Sequence, residues 1–143
     1  MEFDQFDGAD TVPILSAVRM MGDEVAPDEV GLVELAFSEF TVFVRIDPEY
    51  DSLLCSRTPP ESWRSQYCRQ ITSSFWDALI GRALTDAWQM TNYRGYFDAL
   101  ELQFREQPNS GAHNLVRLYG EGSQITLSEL SVVRRFSAVG PNA

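Results

Sequence analysis

The sequence predicts an α+β domain, a predominantly antiparallel β-sheet of about seven or eight strands with one principal helix near residues 59–80. Three observations carry that prediction. Apolar and polar residues alternate over most of the chain, the period of a half-buried strand. The alternation breaks at RTPPES, where Thr58 and Glu61 form a capping box and Pro59 takes the first helical position, which tolerates it. Finally, 143 residues of which 44% are apolar can build one core and are few for two.

Taken in order, Thr11–Met21 reads as a strand whose Pro13 points to a sheet edge. GDEVAPDEV follows as a turn or exposed loop. Val30–Phe37 is extended, and Phe40–Asp47 sets Phe40, Val42, Val44 and Ile46 on one face against Thr41, Phe43, Arg45 and Asp47. With only Ser38-Glu39 between them, these two runs form a hairpin. Tyr50–Ser56 adds a strand after the DPEYD turn. In the predicted helix, Trp63, Tyr67, Ile71, Phe75 and Leu79 recur every four residues, with Ser73-Ser74 as an interruption and Gly81 as the stop.

Beyond Gly81 the period returns to two. Leu84, Asp86, Trp88 and Met90 alternate with Ala83, Thr85, Ala87 and Gln89. The turn NYRG leads into Phe97–Arg105, with Leu100, Leu102 and Phe104 on one face, and then into Asn114–Tyr119 and Gln124–Leu130. These four runs predict a meander. A single domain over 1–143 is expected, with 1–10 and 138–143 as loosely ordered tails.

Charge narrows the function. The net charge is -10, and residues 1–61 carry 14 acids against three Arg, whereas residues 62–143 carry seven against eight. Such a chain repels a phosphate backbone and an anionic bilayer surface, so neither nucleic acid nor membrane is an expected partner. Every basic residue is Arg, which excludes Schiff-base chemistry and the phosphate-binding lysine of a P-loop. Two cysteines 13 residues apart, Cys55 and Cys68, suit a reducing cytoplasm rather than a disulfide scaffold. MEFDQFDGAD has neither the basic nor the apolar region of a signal peptide, and no apolar run is long enough to span a bilayer; a cytoplasmic protein is expected.

Chemistry is sparse. Asp47, Glu49 and Asp51 alternate like the first ligands of a calcium loop, but position six is Ser52 and position twelve is Thr58, so the cage does not close and no metal is expected. His113 is the only imidazole; beside Gly111-Ala112 it suits an exposed or capping role, and Cys55 and Cys68 suit core packing. No nucleotide-binding glycine pattern follows a strand, and no cofactor or catalytic residue is predicted.

Two candidate recognition features remain. One is the cluster around the NYRG turn, Trp88, Asn92, Tyr93 and Tyr96, since Trp and Tyr dominate interface hot spots; packing across strands, with Asn92 holding the turn, is the structural alternative. The other is acidic. Asp23, Glu24, Asp28 and Glu29 lie in one loop and Asp47, Glu49 and Asp51 in another, and if the intervening strands pair as a hairpin both loops fall at the same end.

Leu79-Ile80-Gly81, Ala87-Trp88, Asn92, Gly95-Tyr96, Asp98, Leu100, Leu102 and Phe104 together resemble small β-rich bacterial proteins classed as a domain of unknown function. The resemblance spans about a quarter of the chain. It implies a cytoplasmic β-rich domain of accessory or immunity-like type, and no site. The function expected is a non-enzymatic protein interaction module that binds a basic protein surface. The alternatives are a structural subunit that self-associates through sheet edges and a small hydrolase or isomerase using Asp or Glu chemistry.

Overall fold

A computed structural model describes residues 12–47, 49, 52–108, 113–122 and 124–130. The predicted tails lie outside these residues. Among the described residues nine strands form two antiparallel sheets. The first holds β1 (Leu15–Gly22), β2 (Leu32–Phe37), β3 (Thr41–Asp47), β4 (Ser52–Ser56) and β5 (Arg69–Ile71), in the order β4-β3-β2-β1-β5. The second is the predicted meander: β6 (Ala83–Thr91), β7 (Phe97–Arg105), β8 (His113–Glu121) and β9 (Gln124–Leu130), in sequential order.

The sheets share one core. Val42, Val44 and Ile46 of β3 pack with Val33 and Leu35 of β2, and the second sheet contributes Leu100, Leu102, Phe104, Val116 and Leu118. The predicted faces of β3 and β7 are therefore the ones that enter the core between the sheets. Backbone hydrogen bonds join the sheets in two places. Leu15 N–H donates to the Arg82 carbonyl (3.0 Å) and Leu84 N–H to that of Pro13 (2.8 Å), while Ile125 N–H donates to the Val30 carbonyl (2.6 Å).

The predicted helix is not there, and the fold is all-β rather than α+β. Residues 59–80 hold a single helical turn, Trp63–Gln66, then β5, then a 3-10 turn at Asp77–Leu79. The capping box does not form. Thr58 N–H donates to Ser56 Oγ (3.0 Å), and the turn starts at Ser62 in the left-handed region (φ 57°) with no side-chain cap. The physical reason lies in where the apolar residues go. Trp63 and Tyr67 pack with Leu32 and Phe43 on the outer face of the first sheet, whereas Trp76 and Leu79 enter the core between the sheets. One straight helix presents one apolar stripe and cannot serve both faces of a sheet. The segment instead wraps round the β1 edge, pairing Arg69–Ile71 with Met20–Gly22 on the way. At Ser73 the side-chain oxygen accepts from Phe75 N–H (3.1 Å), an alternative to continued helix.

A second difference matters for the site. The register of β6 shifts between Leu84 and Asp86, a bulge that exchanges the faces of everything after it. Leu84 is buried and Ala87 packs against the core, so Trp88, which simple alternation places with Leu84, turns outward.

Candidate functional site

The two acidic loops leave one end of the first sheet, as the hairpin argument requires. β2 pairs antiparallel with β3, Leu32 opposite Arg45, so the β1–β2 loop and the β3–β4 loop leave the same end of the first sheet. Within them the carboxylates differ in task. Asp23 Oδ1 accepts from Ala26 N–H (2.7 Å) and Asp47 Oδ1 from Glu49 N–H (3.0 Å), so both shape their own turns. Glu24, Asp28 and Glu49 are exposed, and Glu24 accepts a long contact from Cys68 Sγ (3.8 Å). Glu29 is half-buried, and Asp51 lies outside the described residues. Between Glu24 and Asp28 the chain presents Val25, 93% exposed. Gly22 permits this loop geometry, since a Cβ there would stand 2.7 Å from the Pro27 carbonyl oxygen and 2.8 Å from that of Glu29.

The aromatic turn lies at the end of the second sheet that also carries the β8–β9 turn, and Ile125 ties that turn to Val30 beside the acidic loop. Asn92 holds the turn, as the structural alternative predicts. Its Oδ1 accepts from Arg94 N–H (2.8 Å) and Tyr96 N–H (3.2 Å), its own N–H donates to the Tyr96 carbonyl (2.9 Å), and Gly95 supplies the positive φ of 87°. Asn92 is thereby an organiser of the turn. What the turn displays is Tyr93, 92% exposed with Arg94 Nε donating to its hydroxyl (3.1 Å), and Tyr96, 41% exposed. Trp88, 39% exposed, stands on the outer face of the same sheet opposite Glu101, which is paired with Arg117 at 2.9 Å. The acidic β1–β2 loop thus adjoins the end of the second sheet from which the aromatic turn also leaves, with Trp88 on that sheet's outer face.

Of the other predicted roles, those of His113 and Cys68 are corrected and that of Cys55 holds. His113 is buried at the start of β8, opposite Arg105 on the face away from the core pairs Leu102–Val116 and Leu100–Leu118, and among the described residues its Nδ1 has no hydrogen-bond partner; the glycine beside it predicts exposure instead. Cys55 is in the core, where burial pushes its thiol up to about 12. Cys68 is exposed, because it falls where the chain turns from the outer face into β5. Among the described residues no group of three or more His, Cys, Asp or Glu side chains converges as metal ligands would, and no helix is long and apolar enough to cross a membrane. Sequence patterning singles out neither Val25 nor Arg45, although Arg45 stands between the apolar Leu32 and Leu54 on neighbouring strands. That setting is invisible until register is known.

No curated protein and no solved structure matches the chain. The model of DUF6334, described as a family of unknown function, matches residues 1–134, nearly the whole length rather than the quarter that the resemblance spans, and the chain belongs to that family.

Proposed function

We propose that this domain is a non-enzymatic interaction module that engages a basic surface on a protein partner through the acidic end of the sandwich. One observation supports the reading above others: the antiparallel register brings Glu24, Asp28 and Glu49 to one end, beside an exposed Val25 and on the side tied to the β8–β9 turn. Carboxylates so gathered steer a cationic partner and set its on-rate, while exposed aromatics such as Tyr93 and Tyr96 supply contact area once docked.

The test is kinetic. A partner recovered on the immobilised chain is measured against wild type and two variant sets at several salt concentrations. Neutralising Glu24, Asp28 and Glu49 to their amides should slow association and flatten its salt dependence. Tyr93→Ala should act mainly on dissociation, at a cost on the order of 1–3 kcal/mol. Association that is independent of salt and of the three amides would reduce the acidic end to a solubility feature and defeat the proposal.

A further inference from the structure

A second feature lies on the outer face of the first sheet and does not depend on the acidic loops. On the outer face of the first sheet, the Thr58–Pro60 segment lies over β3 and β4 and leaves a pocket of about 330 Å³. Its lining is of two kinds. Phe43, Leu54 and Pro60 are apolar, whereas Arg45, Ser56 and Thr58 carry N–H and O–H donors, and among the described residues no carboxylate lines it.

Arg45 is the informative residue. It is half-buried, with Leu32 opposite it on one side and Leu54 on the other. Two other cross-strand arginines meet carboxylates, Arg19 with Glu34 at 2.7 Å and Arg117 with Glu101 at 2.9 Å. Among the described residues Arg45 has no such partner, in a chain with 21 acids and 11 arginines. Its charge is nevertheless felt nearby: burial raises the Tyr67 phenol, Arg45 opposes that rise and Asp23 adds to it. A guanidinium partly withdrawn from water into an apolar frame is costly when nothing satisfies its fork of donors. An anion that brings its own apolar body would answer both halves of the lining.

We propose that this pocket binds a small carboxylate with an apolar body, the carboxylate on the Arg45 guanidinium and the body against Phe43, Leu54 and Pro60. Bidentate pairing would give orientation, and the pocket is at the lower end of the size that small-molecule sites have.

Benzoate and its neutral isostere benzamide are the probes, titrated into the full chain and followed by backbone amide NMR. Benzoate should shift the amides of Phe43, Leu54 and Thr58 saturably, with a Kd on the order of 1 mM. Benzamide should bind at least about tenfold more weakly, because it lacks the charge that the guanidinium pairs. Arg45→Gln should remove the preference, and Arg45→Lys, which keeps the charge and loses the fork, should retain part of it. If Arg45→Gln does not fold, Leu54→Phe, which fills the pocket, should block benzoate instead. Equal binding of the two probes, shifts centred elsewhere, no saturation, or full benzoate binding by Arg45→Gln or Leu54→Phe would each overturn the proposal.

Discussion

The two sheets treat their outer faces differently. On the first, Leu32 and Phe43 point away from the core and are nevertheless buried, because Trp63 and Tyr67 are laid across them, with the Phe43 and Trp63 rings 5.8 Å apart. On the second, one outward row is Trp88, Glu101, Arg117 and Ser128, each opposite the next across the strands, and no hydrophobic cluster gathers there among the described residues. The contrast explains why the chain between the sheets is not a helix. An apolar outward pair demands a cover, and the segment after Pro60 is the cover; a row containing an ion pair stands in water without one.

The largest expected effect concerns access. Cys55 faces the sealed interior and Cys68 the rim of the covering segment, so a thiol reagent at neutral pH should label Cys68 orders of magnitude faster than Cys55. Mass spectrometry of the labelled peptides checks this, and equal rates would mean the core opens. The raised thiol pKa adds a pH signature. A raised pKa means the fold favours the neutral thiol, so its contribution is intact below pH 9 and is lost as pH climbs toward about 12. The alkaline loss of stability should be shallower in Cys55→Ala than in wild type.

Next comes the cover itself. Trp63→Ala should cost about 3 kcal/mol or more in urea unfolding, whereas Trp88→Ala, on the open face, should cost less than about 1 kcal/mol. Similar losses at the two tryptophans would erase the distinction between the faces.

A smaller effect sharpens the same point. A Cβ on Gly31 would stand 3.0 Å from the Tyr67 ring, so Gly31→Ala should displace that ring at a cost of about 1 kcal/mol. In a Tyr67→Ala background the penalty should vanish, and a double-mutant cycle reads the coupling. An additive result would show that Tyr67 does not rest on Gly31.

The smallest expected effects are the ion pairs. Double-mutant cycles on Arg19–Glu34 and Glu101–Arg117 should each give less than about 1 kcal/mol and decline with salt. Arg19 also lies 5.9 Å from the Trp63 ring centroid, so its coupling to Glu34 should change when Trp63 is removed, while that of Arg117 to Glu101 should not.

Eight of the nine strands were legible because alternation is a local property: a strand with one buried face must repeat every two residues wherever it pairs. That legibility extended to the placement of the two acidic loops, since a hairpin between them sends both to one end whatever the rest of the chain does. The Asn92 turn was readable for the same reason, its bonds spanning four residues or fewer. The three-residue β5 was not, because its Arg69 and Gln70 are exposed and only the free edge of β1 makes them a strand.

What the sequence determined by itself, then, is the period-two strands, the meander, the turns and the strongly acidic first part. Tertiary structure alone decided the fate of residues 59–80, the outward turn of Trp88 and the setting of Arg45. Recurrence every four residues from Trp63 to Leu79 describes a helical stripe, and it equally describes a chain that visits one face of a sheet and then the other. Burial of apolar surface is non-directional, so the spacing cannot choose between them; the choice falls to whichever surfaces are left uncovered, here Leu32 and Phe43 outside and the core within.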